Sequence, residues 1–335
     1  YNEICDMSPD NSYMKTIDIG DSDFYDITVS LSDKDGKILV SYTPYVRGKK
    51  QPINPRIPVK RPCEIETIEE LYINGYHLEQ YKQHNYRPQD YYLEGIGRDS
   101  GDIRCNTSMA RLCLKNGEFL KCISYCDVAI KRLTSRNEHP TDTEAFYFKG
   151  LALTYLGKYK EAYDILYKAA WNYPHRGAAM FELACLDIKN HDYETALQKL
   201  EESIGLNKGH TKAQNLKTAV LRRLNNGMAK AQAEINVKED LLDLFSKIEY
   251  SYFADNGEDI EQFNAKAENV LDVACDYIKA GLFEDALYAL NIYNGEYPLI
   301  EYYKAYCMAM AGENAAAFIA KAEALDTGYC FPSRL

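Results

Sequence analysis

One turn recurs along this chain at near-regular intervals, and that recurrence limits the fold more than any other feature. Gly117-Glu118-Phe119, Gly157-Lys158-Tyr159, His191-Asp192-Tyr193 and Gly281-Leu282-Phe283 share a Gly-x-aromatic pattern or its close variant. From Gly157 to His191 is 34 residues, and 34 more reach Asn225; Gly281 to Gly312 is 31 and Gly117 to Gly157 is 40. Small residues flank the turns. Ala110, Gly150, Ala184 and Ala274 precede them, and Cys122, Ala162, Ala196 and Ala286 follow. Two antiparallel helices approach closely only where side chains are small, so each unit is expected to be a helix hairpin. Its apolar residues lie on more than one face, so it must stack on neighbours.

The fullest copy runs from Glu144 to Pro174, with Phe146, Gly150, Leu153, Gly157, Tyr159, Ala162, Leu166, Ala169 and Pro174 in order. On these residues the chain resembles the tetratricopeptide repeat, a helix–turn–helix of about 34 residues. Residues 177–210 form a good copy, 103–136 and 267–298 fair ones, 211–244 and 298–326 degenerate ones, and 67–100 look like one more helix pair. The resemblance implies an all-α solenoid. A second resemblance is narrower. "EELYINGYHLEQYKQHNYRPQDYYLEGIGRDSGDIRCN", "AIKRLTSRN", "YKAAWN" and "LKTAVLRRL" are similar to a group of bacterial tetratricopeptide proteins. Their N-terminal half is a galactose-mutarotase-like β-sandwich without a settled function. That resemblance implies an upstream domain absent from this chain and an association with carbohydrate through it.

The N-terminal region reads differently. Ile27, Val29 and Leu31 alternate with polar residues, "DKDG" forms a turn ending in Gly36, and Ile38, Val40 and Tyr42 alternate again. This is a β-hairpin signal, and a lone hairpin is marginal in water, so it is expected to dock on something. Pro52, Pro55, Pro58 and Pro62 then favour an extended strap. Thr67 and Glu70 make a capping box that opens the helical region, and Pro88 suits the first turn of the next helix. The expected domains are 1–46, a hairpin segment and tail of a missing β domain; 47–66, a Pro-rich linker; and 67–335, a solenoid of six to seven helical hairpins cut at its C-terminus.

The net charge is −11, which argues against nucleic acid as the main partner. Between Ile103 and Leu224, however, 19 Lys and Arg outnumber 13 Asp and Glu. No apolar run reaches membrane-spanning length. None of the ten Cys forms a Cys-x-x-Cys pair, and several fall at small-residue helix positions, which reads as buried thiols in a reducing compartment. With no signal segment, this points to a bacterial cytoplasmic setting. The chain starts at Tyr1 rather than Met, which reads as a fragment.

No motif carries a reaction or a cofactor. There is no Gly-x-Ser-x-Gly and no phosphate loop. His77 and His84 lie seven apart without a metal-ligand spacing, Cys122 and Cys126 fit a core stripe, and "NTS" at 106–108 is a chance sequon in a helix. Catalytic, metal and cofactor sites are therefore all assigned as none. The expected site is the concave face of the first helices: Arg104, Arg111, Lys115, Tyr147, Tyr155, Phe181, Lys189, Lys212, Asn215, Arg222 and Arg223. It is basic at both ends and aromatic between. It suits an acidic peptide or protein, a chain carboxylate or an anionic glycan, or else the chain's own acidic stretch at 239–261. The expected function is a non-catalytic interaction scaffold, with homo-oligomerisation as a further role. The alternative is an accessory domain of a carbohydrate-active enzyme.

Overall fold

The computed structural model describes residues 1–8, 13–46, 48, 58–81, 85–253 and 266–334. The chain divides into two units, Tyr1–Val59 and Lys60–Leu335.

In the first unit, β1 (Val29–Ser32) pairs antiparallel with β2 (Ile38–Tyr42), setting Val29 opposite Tyr42 and Leu31 opposite Val40. The Asp33 carboxylate accepts the N–H groups of Asp35 and Lys37, and Gly36 takes a φ of 80°, where an L side chain would be strained. The apolar residues Val29, Ile38, Val40 and Tyr42 stay exposed. Pro52 and Pro55 of the strap lie outside the described residues.

The second unit is helical. Its elements are α1 (Ile68–Gln80), α2 (Pro88–Arg98), α3 (Ile103–Lys115), α4 (Phe119–Leu133), α5 (Glu144–Tyr155), α6 (Tyr159–Ala169), α7 (Tyr173–Lys189), α8 (Tyr193–Leu206), α9 (Thr211–Arg223), α10 (Ala229–Glu239), α11 (Leu244–Ser251), α12 (Ala267–Lys279), α13 (Phe283–Ile292), α14 (Pro298–Met310) and α15 (Ala316–Ala324). Thr67 Oγ1 accepts the Glu70 N–H at 3.2 Å and caps α1. Each odd-numbered helix from α1 to α9 pairs with the next, as do α12 with α13 and α14 with α15. The architecture is that of a tetratricopeptide solenoid, all-α with a short N-terminal hairpin. The short α11 packs on both α9 and α10.

The recurrent turn has one geometry throughout. Gly117, Gly157, His191, Asn225, Gly281 and Gly312 all adopt left-handed backbone, with φ between 51° and 79°. At each of them two hydrogen bonds reach back into the helix just ended. Gly157 N–H bonds Thr154 O at 3.0 Å and Lys158 N–H bonds Leu153 O at 2.9 Å. This satisfies otherwise orphaned carbonyls and reverses the chain in a fixed direction. The flanking small residues then meet. Ala110, Ala184, Ala274, Cys122, Ala162, Ala196 and Ala286 are all fully buried. A Cβ on Gly150 would lie 2.6 Å from both Cγ and Cδ2 of Leu166. The 40-residue step between Gly117 and Gly157 is absorbed largely by the loop 134–143, whose Thr143 hydroxyl donates to Ala169 O at 3.0 Å.

The core runs from pair to pair, and in the last third it doubles back. Val270, Ala274 and Tyr277 of α12 share one apolar cluster with Ala184, Cys185 and Ile188 of α7 and Ala219 and Val220 of α9. Lys279 at the end of α12 reaches Glu182 of α7 at 2.5 Å. A Cβ on Gly281 would come within 2.8 Å of Lys189 Cγ. Helix α12 thus lies against the inner face of pairs that precede it by some ninety residues.

Candidate functional site

That doubling back decides what becomes of the concave-face residues. At the N-terminal end, Arg111 donates to Glu79 from Nε at 3.1 Å and Nη2 at 2.9 Å, and lies 3.4 Å from Glu144. Lys115 reaches the same Glu79 at 2.8 Å. Burial pushes the Glu79 carboxyl up, but Arg111 and Lys115 outweigh it and hold it below its ordinary value. Arg104 pairs with Glu69 at 3.3 Å and sits 5.1 Å over the Tyr72 ring.

The C-terminal basic end is more deeply engaged. Arg222 lies 3.2 Å from Glu249 and 2.9 Å from Asp285, with Tyr252 stacked 3.7 Å away, and Arg223 reaches Asp285 at 2.5 Å. Glu249 is wholly buried; burial pushes its carboxyl up, against the pull of Arg222 and of the Tyr277 hydroxyl at 2.5 Å. Asn215, buried, donates to Asp243 at 2.6 Å and accepts from Asn236 and Ser246, each at 3.0 Å. The acidic stretch 239–261 supplies Asp243 and Glu249 to these contacts, Asp285 comes from α13, and residues 254–261 lie outside the described residues. Lys212 pairs with Asp276 of α12 at 2.8 Å.

The aromatic centre splits. Phe181 is buried under His210, whose ring centroid is 4.6 Å away, and under the Lys279 ammonium at 5.5 Å. Tyr147 stacks on His175 at 6.0 Å, and burial raises its hydroxyl pKa. Tyr155, stacked on Phe119 at 4.9 Å, keeps an exposed edge. It opens onto a cavity of about 1110 Å³. Tyr155 and Tyr159 line it from the α5–α6 turn, Lys189 from the end of α7, Lys212 and Asn215 from α9, Asp276 and Lys279 from α12, and Tyr302 and Tyr306 from α14. Lys189 sits 5.2 Å over the Tyr159 ring and 3.5 Å from Ile278 O; among the described residues it has no carboxylate partner. Burial pushes its ammonium pKa down.

Of the eleven expected residues, the cavity thus gathers Tyr155, Lys189, Lys212 and Asn215. Tyr159, Tyr302 and Tyr306 join them without having been on the expected surface. Tyr302 and Tyr306 are four apart on α14, so their shared face was readable in the sequence. Only the doubling back places that face opposite Tyr159.

Elsewhere the chemistry is quiet. Burial raises the thiol of Cys105 to about 12 and of Cys113 to about 11, so neither is a ready nucleophile. Asn106 of the sequon is buried, donating its amide to Ser100 O and Asp102 O. His77 packs on Tyr81, with ring centroids 4.4 Å apart, and His84 lies outside the described residues. Among the described residues, no three His, Cys, Asp or Glu side chains gather as a metal site, and no helix is long and apolar enough to cross a membrane.

A family model described as the second domain of YphG-like proteins matches residues 1–42. Among solved structures, the chain is similar to a tetratricopeptide repeat protein from Parabacteroides merdae ATCC 43184, with 14% identity, 78% of this chain and 94% of that one covered, and a TM-score of 0.47. It is similar to YrrB, described as a TPR protein with an unusual peptide-binding site, at 18% identity, 71% and 100% coverage and a TM-score of 0.39. It is also similar to pilF of Pseudomonas aeruginosa, at 12% identity, 67% and 88% coverage and a TM-score of 0.45.

Proposed function

We propose that this chain is a non-catalytic interaction scaffold that binds a peptide segment of another protein in the cavity between α5–α6, α7, α12 and α14. The observation that carries the reading is the cavity itself, about 1110 Å³, with Tyr155, Tyr159, Tyr302 and Tyr306 exposed and an ammonium that no carboxylate neutralises among the described residues. Tyrosine gives a large amphipathic contact area at small entropic cost, which suits peptide recognition. A peptide of a few residues fits a cavity of this size. Arg111, Arg222 and Arg223 serve in this reading as braces, because each already faces carboxylates of the same chain.

The test is selection from a random twelve-residue peptide display library against residues 1–335. Enriched peptides should share a consensus and lose binding to a Tyr159→Ala, Lys189→Met variant whose helical circular dichroism is unchanged. Peptides that bind both proteins equally would place the interaction elsewhere, and selection without enrichment would remove the reading.

A further inference from the structure

Beyond α15 the chain returns to the cavity. Residues 325–334 run back to the first turns of α12, and Ser333 and Arg334 form part of the cavity wall. Arg334 is the one basic residue of this segment. Its Nε donates to Asp272 at 2.6 Å, its Nη1 lies 2.7 Å from the Glu268 carboxylate, and its Nη2 donates to Glu268 O at 2.9 Å. Glu268, Asp272 and Cys275 follow at steps of four and three residues, so they share one face of α12. Cys275 lines the cavity as well.

The grip on this segment is chiefly electrostatic. Tyr329 and Phe331 are 93% and 71% exposed, so its two aromatic rings anchor little, while Cys330 packs half-buried against the core. The Asp272 and Glu268 side chains stay 65% and 49% exposed although Arg334 bridges them. Ion pairs this open to water contribute little and weaken as salt rises. A segment held in this way opens at small cost. Opening also changes the cavity. Among the charged residues that line it, four acids stand against three lysines and Arg334, so lifting Arg334 away leaves an excess of negative charge.

We propose that residues 325–334 are a releasable flap that shields the α12 wall of the cavity, with Arg334 as its latch on Glu268 and Asp272. A ligand that reaches this wall competes with the flap, so its apparent affinity falls by the fraction of molecules in which the flap is closed. The device concerns access and holds for any occupant of the cavity. Its failure would leave the peptide-site reading standing, and failure of that reading would leave the flap.

The experiment is alkylation of residues 1–335 by N-ethylmaleimide, an uncharged reagent, followed thiol by thiol by peptide mass mapping. Arg334→Ala should speed the reaction of both Cys275 and Cys330 about fivefold, the change that an exposed ion pair of this kind is worth. The sign at Cys275 is diagnostic. Burial, helped by Asp276 and Asp272, pushes its thiol pKa up, while the Tyr303 hydroxyl and Arg334 hold it back. Losing the Arg334 charge alone would make the thiolate scarcer and the reaction slower, so a faster rate reports exposure. Raising sodium chloride from about 0.05 to about 1 M should speed Cys275 in the parent and leave the Arg334→Ala rate flat. Arg334→Lys, which keeps the charge but not the planar fork, should fall between the two. The exposed Cys63 should react equally throughout, and the buried Cys185 should stay slow. A faster Cys330 with an unchanged Cys275 would mean that the segment loosens without covering the cavity and would overturn the flap. An unchanged rate at both thiols would overturn the latch, and an equal rise at Cys185 would mean general loosening and overturn both.

Discussion

Two helices approach closely at Gly150, and the energetics there can be made to change sign. A methyl added there would sit 2.6 Å from Leu166 Cγ and Cδ2, in a side chain that is fully buried and has little room to turn aside. In the parent protein Gly150→Ala gains about 1 kcal/mol of helix propensity and loses about 1–3 kcal/mol to overpacking, for a net cost near 1 kcal/mol. Leu166→Ala alone should cost about 2–5 kcal/mol through lost burial and an unfilled cavity. In that background the clash is gone. Gly150→Ala then keeps its propensity gain and adds about 0.8 kcal/mol for a newly buried methyl, so it should stabilise by 1 to 2 kcal/mol. The coupling in the double-mutant cycle is therefore about 2–3 kcal/mol, well above the ~0.5 kcal/mol scatter of independent sites. Urea unfolding can be read from Trp171, the only tryptophan, which lies two residues beyond α6. An equal effect of Gly150→Ala in both backgrounds, within that scatter, would refute close packing as the reason for glycine here.

Three further outcomes follow from the geometry. His191 holds left-handed backbone at a φ of 60° where most of its counterparts are glycine. His191→Gly should raise stability by about 1 kcal/mol in thermal melts, and Gly157→Ala should lower it by a similar amount. Arg222→Met leaves the buried Glu249 without its counter-charge and Asp285 with Arg223 alone, and should cost about 3–5 kcal/mol in urea unfolding. Arg132→Ala, which removes the solvent-exposed pair with Asp99, should cost under about 1 kcal/mol. Burial depresses the Lys189 ammonium pKa below its ordinary 10.5. Between the depressed value and 10.5 the unfolded chain holds a proton that the folded chain has released, so this group's contribution to stability rises with pH there. Lys189→Met should flatten that part of the stability–pH profile, measured by urea midpoints from neutral to alkaline pH.

The repeat was legible because it rests on local chemistry. A left-handed turn admits few residue types, and a close helix pair demands a small side chain, so both leave marks at fixed spacing. Asn225 in "LNNG" shows how far that carries: it lies 34 residues past His191 in a degenerate copy, yet its φ of 51° belongs to the same series. The hairpin was legible in the same way, from alternation and the Asp-Gly turn. The site was legible only in part. Helix periodicity places Arg111, Lys189 and Arg222 on one kind of face, but it says nothing of which carboxylates return to meet them. Glu79 lies 32 residues before Arg111 and Asp285 lies 63 after Arg222. The tertiary placement of α12 decided the second pairing, and no local pattern encodes it.

Apolar packing gives that placement a physical cause. In the helix pairs the second helix runs from nine to fifteen residues. Helix α11 has eight residues, and α12 is the next described helix. Helix α12 still presents a wide apolar face, with Val270, Leu271, Val273, Ala274 and Tyr277 all buried. The inner surface of α7 and α9 offers Cys185, Ile188 and Ala219 to receive it. Once α12 lies there, Asp276 and Asp285 come within reach of Lys212, Arg222 and Arg223, and the basic face becomes a set of internal braces. The same step brings α14 round so that Tyr302 and Tyr306 share a cavity with Tyr155 and Tyr159. A regular continuation of the repeat would leave an open basic groove suited to acidic ligands. With α12 packed on α7 and α9, a charge-balanced, tyrosine-lined cavity forms instead. The character of this cavity therefore turns on where α12 packs more than on the composition of the concave face.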